Sequence, residues 1–241
     1  MNLLLLTLLF AGRKDDQIIE LQQQVMELQT QLIECEKEKA SCEQANAGPK
    51  PVAPGDEEKA TELYGQATEF VENFQAEEAK AVLTVLLAEY GETRTAARAR
   101  RMLTELEVVG RDAPALSPSI ESWFVGSADY SPTGYTVLVF WEVWCPHCKR
   151  EMPQMNEWTR EMRESGEITV IGLTKITKSS TPEKVTEFLT ENAIDMPIAK
   201  ENGALSTAFN VSGIPAAAVV KDGKIVWRGH PARLNAESLR R

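Results

Sequence analysis

Residues 135–148 read Tyr135-Thr-Val-Leu-Val-Phe-Trp141-Glu-Val-Trp144-Cys145-Pro146-His147-Cys148, and the fold is decided there. The first half is an apolar, β-prone run, read as a strand. The second half opens a helical pattern, Lys149-Arg-Glu-Met-Pro-Gln-Met-Asn-Glu-Trp158. A strand that delivers a C-x-x-C onto a helix N-terminus is a redox arrangement. Unsatisfied N–H groups and the positive end of the helix dipole favour an anionic sulfur at Cys145. Cys148 follows three residues later, less than one turn away, and can attack a mixed disulfide at Cys145 to release the substrate. The residues therefore predict thiol–disulfide exchange on protein disulfides, with Cys145 as nucleophile and Cys148 as resolving thiol.

Working outward, 241 residues hold one large domain or an ordinary domain with accessory segments. A formal net charge of −10 argues against nucleic acid or an anionic membrane surface as the main partner. The four cysteines form two pairs, Cys35/Cys42 and Cys145/Cys148, too few for a disulfide scaffold. Asn2 to Ala11 is an apolar stretch of signal-peptide length, well short of the ~20 residues that span a bilayer. It lacks a basic n-region, and Arg13-Lys14 follow rather than precede it. Two readings compete: a secretory or anchoring segment whose true start lies upstream of Met1, or a short apolar helix end. The first is preferred, because the cysteines suit an oxidising compartment. It places the protein in a bacterial cell envelope or periplasm, anchored at residues 1–16.

From residue 17 to 44 a seven-residue repeat sets in. Ile18, Val25, Leu32 and Lys39 occupy one core position, and Leu21, Leu28, Cys35 and Cys42 the other. β-branched residues at a with Leu at d favour a parallel two-stranded coiled coil. Within one helix the two cysteines stand ~10.5 Å apart, too far for an intrachain bridge. An interchain disulfide in a homodimer, Cys35 to Cys35 or Cys42 to Cys42, competes with the reading that small cysteines merely fill the seam. Residues 45–56 form a Pro-rich linker. Residues 57–109 predict three helices. The first presents Leu63, Ala67, Phe70 and Phe74; the second presents Ala79, Leu83, Leu86 and Tyr90; the third presents Ala97, Met102 and Leu106. With Ala67 and Ala79 at small-residue positions, the stretch resembles about one and a half tetratricopeptide repeats. Since about three are needed to bury a continuous core, it must pack on the redox domain or on a second copy. Arg94, Arg98 and Arg101 line one face of the third helix, either as a solvated face or as a docking patch for an acidic partner.

Gly110-Arg-Asp-Ala-Pro114 breaks the helical pattern, and residues 110–241 read as one α/β domain. Strands are predicted at Tyr135–Trp141, Ile168–Leu173, Ala216–Val220 and Lys224–Arg228. Lys221-Asp-Gly-Lys224 is a tight hairpin signal. A helix from Pro146 carries Pro153, expected to kink it. Ser180-Thr-Pro-Glu183 supplies N-cap candidates and an N1 proline for another helix. Strands alternating with helices give a mixed sheet covered on both faces.

This second half resembles the thioredoxin superfamily, and within it the TlpA/ResA-like thiol–disulfide oxidoreductases. The resemblance rests on Gly110-x-x-Ala-Pro114, Val139-Phe-Trp-Glu-Val-Trp-Cys-Pro-His-Cys-Lys-Arg-Glu-Met-Pro153, Gly213-Ile-Pro215 and Lys221-Asp-Gly-Lys-Ile-Val. It implies a thioredoxin fold, a mixed central sheet flanked by helices, here preceded by the coiled coil and a small all-α segment. It also implies a cis bond between Ile214 and Pro215 beside the cysteines, leaving the backbone of Ile214 free to pair with an extended substrate segment. Trp144 and Pro146 would form the rim and Trp141 a core residue. Thioredoxin-like reductases often carry a buried Asp six residues before the first cysteine; Val139 stands there. Glu151 matches a family Glu three residues after the second cysteine and would relay a proton to or from Cys148, or else stabilise the helix N-terminus. The Pro-His pair is shared with DsbA-like oxidants, and a protonated His147 would favour the Cys145 thiolate. A potential more oxidising than the roughly −270 mV of thioredoxin is therefore expected.

No cofactor is called for, because sulfur exchange carries the chemistry alone. A zinc site needs four ligands, and His147, His230 and the distant Cys35/Cys42 do not supply a ligand spacing; His230 reads as a surface turn residue. The competing functional class is an envelope scaffold that binds partners through its helices, with a minor or inactive redox domain. Expected partners are protein thiols or disulfides and a redox partner that recharges the site.

Overall fold

Successive residues of the run 135–141 belong to different cores. Strand β2 (Tyr135–Trp141) sends Val137, Val139 and Trp141 into one cluster and Leu138 and Phe140 into another, each at most 1% exposed. Side chains alternate across a strand, so a run apolar at every position has to be covered on both faces. The computed structural model describes Ala53 and residues 55–240. The apolar segment 1–16, the coiled coil 17–44 with Cys35 and Cys42, and most of the linker lie outside the described residues.

β2 lies inside a six-stranded sheet of order β1-β4-β3-β2-β5-β6, with β1 (Ile120–Val125), β3 (Ile168–Thr174), β4 (Ile198–Glu201), β5 (Ala216–Lys221) and β6 (Lys224–Gly229). It runs parallel to β3 from Tyr135↔Ile168 to Trp141↔Thr174 and antiparallel to β5 from Thr136↔Val220 to Phe140↔Ala216. β4 is parallel to β3, while β1 and β6 are antiparallel edge strands. The β5–β6 hairpin turns at Asp222 (φ 50°) and Gly223 (φ 72°), the two positive φ values that a type I′ turn demands. One face carries α4 (Pro146–Trp158), α5 (Arg160–Glu164) and α6 (Pro182–Glu191); the other carries α7 (Ala204–Ala208). This is the thioredoxin-like fold, and three helices precede it.

Four of the six strands fall where the sequence predicts them. β1 and β4 do not. β4 spans only four residues, too few to show a period. β1 is an edge strand with two register shifts, carrying Glu121 and Ser122 outward, so its alternation is broken. Helix α4 runs through Pro153, and the interruption falls at Thr159 instead. Thr181 caps α6 from its side chain with Pro182 at N1, as predicted.

The preceding helices are α1 (Asp56–Glu72), α2 (Ala76–Tyr90) and α3 (Arg94–Leu106). On α3 the core row is Ala96, Ala99, Met102 and Leu106, and Ala97 faces solvent, one position off the expected register. The cap explains it. Thr93 Oγ1 accepts from Ala96 N–H, and the Glu57 carboxylate of α1 accepts from the N–H groups of Arg94 and Thr95 and from the Thr95 hydroxyl. These bonds, led by the Thr95 hydroxyl, hold Glu57 below the usual carboxylate range. Ala60, Ala67, Leu83 and Leu86 of the helices share one buried cluster with Trp227 of β6, so the helical region packs on the sheet. Among the described residues, no helix is long and apolar enough to cross a membrane.

Candidate redox site

Where β2 ends, Cys145 N–H closes a turn onto the Glu142 carbonyl at 3.0 Å, and the chain enters α4. Cys145 is the N-cap of that helix, in extended conformation (φ −84°, ψ 115°), and its sulfur accepts from Cys148 N–H at 3.4 Å. Sulfur thus occupies the place of a capping oxygen. Pro146 at the first helical position has no N–H to leave unsatisfied.

From the opposite side, the loop before β5 brings the Ile214 carbonyl to 3.7 Å from Cys145 Sγ, and the Ile214–Pro215 peptide is cis. Both cysteines are free thiols, Cys145 4% exposed and Cys148 fully buried. Burial, above all, pushes the Cys148 thiol far up from its ordinary value. The Cys145 side chain raises it further, the Glu142 backbone opposes, and the Glu142 charge adds. The two sulfurs are therefore inequivalent: Cys145 caps the helix and keeps a sliver of exposed surface, while Cys148 is sealed from solvent and biased toward the protonated thiol.

Glu142 is the site residue that sequence reasoning missed. It is 6% exposed. Its Oε2 accepts from Trp144 Nε1 at 2.7 Å and from the Thr177 hydroxyl. Lys178 Nζ sits 3.2 Å from the centroid of the Trp144 ring. Val139, the position searched for an acid, is wholly buried among apolar neighbours. The available signal was an acid at the end of an otherwise apolar strand, three residues before Cys145.

The structure brings Cys145, Cys148, Trp144, Pro146, Ile214 and Pro215 together. It does not bond His147 or Glu151 to either sulfur. His147 is exposed, and its Nδ1 lies 2.6 Å from Arg150 Nη2; arginine only donates, so Nδ1 accepts. The half-buried Glu151 exerts its charge on His230, whereas the charges felt by Cys148 are those of Cys145 and Glu142. His230 is not a plain surface turn residue. It is half-buried beside Ile214 and Pro215, and its Nδ1 accepts from Ala232 N–H at 3.2 Å. Burial lowers its pKa; Glu151 and Glu105 oppose this, while Arg233 and His147 add to it. Among the described residues, no group of three or more His, Cys, Asp or Glu side chains is placed to hold a metal ion.

The chain is similar to several known proteins. Residues 109–228 match the AhpC/TSA family. The chain is 24% identical over 106 residues to sporulation thiol-disulfide oxidoreductase A of Bacillus subtilis (strain 168), covering 44% of this chain and 64% of that protein. It is 29% identical over 121 residues to the thiol-disulfide oxidoreductase ResA of Bacillus thuringiensis (strain Al Hakam), covering 49% and 67%. A solved thiol-disulfide isomerase from Corynebacterium glutamicum aligns at 24% identity with a TM-score of 0.42, covering 49% of this chain and 86% of that one. Residues 109–228, on the thioredoxin-like fold, are thus similar to the AhpC/TSA family and distantly similar to thiol–disulfide oxidoreductases.

Proposed function

We propose that this protein exchanges thiols and disulfides on protein substrates through Cys145 and Cys148. One observation carries the reading: a sulfur caps the helix while its neighbour, three residues on, is buried beneath it and bonded to it through the backbone N–H. In the reductive direction, the Cys145 thiolate attacks one sulfur of a substrate disulfide. A mixed disulfide forms, and the other substrate sulfur leaves as a thiolate. Cys148 then loses its proton and attacks Cys145 Sγ, which breaks the mixed disulfide and frees the second substrate thiol. Two electrons have passed to the substrate, and the Cys145–Cys148 disulfide awaits a dithiol donor. Run backwards, the same steps oxidise a dithiol.

Each placed residue has work in this cycle. The helix end steadies negative charge at Cys145 in every step where it attacks or leaves. The high protonation threshold of Cys148 keeps it from competing for substrate before the mixed disulfide forms. Glu142, the carboxylate whose charge acts on Cys148, would take part in deprotonating it. We further propose that Trp144 and Ile214 border the bound substrate, and that Pro215 keeps the loop open beside Cys145.

Insulin-disulfide reduction tests the reading. Wild-type protein should turn over, Cys145→Ser should not, and Cys148→Ala should accumulate mixed disulfides at Cys145. Turnover that survives loss of Cys145 rules it out, and a purely scaffolding chain would show none in any form.

A further inference from the structure

The third helix of the N-terminal region reaches the redox site. A groove of about 270 Å³ lies between α3 and the cis-proline loop, with Arg98 and Arg101 on one wall, Ile214 and Pro215 on the other, and Arg233 beyond. Arg98 and Arg101 are one turn apart on the same exposed face. The Arg98 guanidinium lies 4.3 Å over the Tyr64 ring, which orders it without neutralising it.

The carboxylate in this groove is already engaged: Glu105 Oε1 accepts from the Ser212 hydroxyl at 3.0 Å and stands 3.9 Å from the buried Arg228. Among the described residues, no carboxylate comes within 4.0 Å of Arg98, Arg101 or Arg233. The whole chain has 36 acidic against 26 basic side chains. Three guanidinium groups along one groove, without a carboxylate partner among the described residues, invert that balance where the groove meets Ile214, whose carbonyl lies 3.7 Å from Cys145 Sγ.

We propose that this groove docks an acidic, extended segment of the protein substrate, its carboxylates against Arg98, Arg101 and Arg233 and its sulfur at Cys145. The inference rests on the oxidoreductase reading and names its substrate class. Guanidinium forks match carboxylates bidentately, and successive cations along an open channel suit a chain of carboxylates better than a single small anion. Attraction of this kind sets encounter and partner choice more than tightness. The helical region thereby becomes half of the substrate site.

The test uses the full chain, pre-reduced, under single turnover, so that the Cys145–Cys148 dithiol is the only reductant. Two quenched-fluorophore peptides share one internal disulfide and differ only in three flanking positions, Glu in one and Gln in the other. Wild type should reduce the Glu peptide about fivefold faster than the Gln peptide at low salt. The ratio should fall to about one in R98E/R101E, and in wild type at ~1 M salt, where the screening length shrinks to about 3 Å. R101E/R233E, which leaves the Arg98–Tyr64 contact intact, should lose the preference as well. R111E, a charge change outside the groove, should retain it. A wild-type ratio near one, or a ratio unchanged in both double variants, overturns the proposal while the redox reading stands. If R98E/R101E dissolves a dimer and leaves the ratio alone, the groove is a contact between copies and the proposal fails. If neither peptide reacts in a Cys145-dependent way, both readings fall.

Discussion

The indole Nε1 of Trp227 donates a 2.7 Å hydrogen bond to the backbone carbonyl of Val71, 156 residues earlier in the chain. Trp227 is in β6 and Val71 in the last turn of α1, so this bond fastens the helical region to the sheet edge. The Phe74 ring packs against the same indole, centroids 6.0 Å apart and planes tilted by 34°. A Cβ at Gly229 would come within 2.8 Å of that ring, so the glycine leaves the indole the room it occupies.

Trp227→Ala should lower unfolding free energy by about 3–5 kcal/mol through lost burial and the cavity left behind. Trp227→Phe, which keeps most of the ring and loses the N–H, should lower it by about 1 kcal/mol. Urea denaturation measures both. A change within error for Trp227→Ala would show that the helices dock by other contacts.

The two thiols should respond differently to alkylation. Iodoacetamide at neutral pH is expected to label Cys145 and spare Cys148, as read by mass spectrometry. The stability consequence has a definite sign. The folded-state pKa of Cys148 lies above its unfolded value, so its contribution is complete below about pH 8.5 and is lost as pH climbs past that. Reduced protein should weaken in alkali, and Cys148→Ala should flatten the decline. Equal labelling of both cysteines at neutral pH contradicts the burial argument.

Glu142→Gln keeps the shape and removes a buried charge that raises the Cys148 threshold. In a Cys145→Ser background, the thiolate absorbance of Cys148 should therefore emerge at lower pH than with Glu142 present. Weakening the bonds to Trp144 and Thr177 should also cost about 1–3 kcal/mol of stability. An unmoved titration would mean that Glu142 serves only to hold Trp144.

His230 gives an acid-side signature. Its folded pKa is depressed, chiefly by burial, so the unfolded chain takes up the proton first. The stability it contributes is present above about pH 6.5 and is lost as pH falls through the lower folded value. Denaturation midpoints should decline as pH falls below about 6.5, with a shallower slope in His230→Asn. Equal slopes would place the titrating group elsewhere.

Several elements are legible in short stretches of sequence, although Pro153 does not interrupt its helix and Ala97 faces solvent. β2, the β5–β6 hairpin and the Thr181 cap each announce themselves through adjacent residues: an unbroken apolar run, two turn residues, a hydroxyl before proline. β1 escaped because an edge strand with register shifts shows no alternation, and β4 because four residues show no period. The partial burial of His230 is not legible in the sequence, since it lies beside Ile214 and Pro215, residues distant along the chain.

By itself the sequence determined that two sulfurs would meet a helix end in a thioredoxin-like sheet, because strand runs, turns and caps depend only on spacing along the chain. Tertiary packing alone decided that the sulfurs differ in burial, that the Glu142 carboxylate is bonded to Thr177, and that arginines 98 and 233 share one groove. Burial and electrostatic influence depend on distance through space, and the chain sets those distances only after residues far apart in number have been folded against one another.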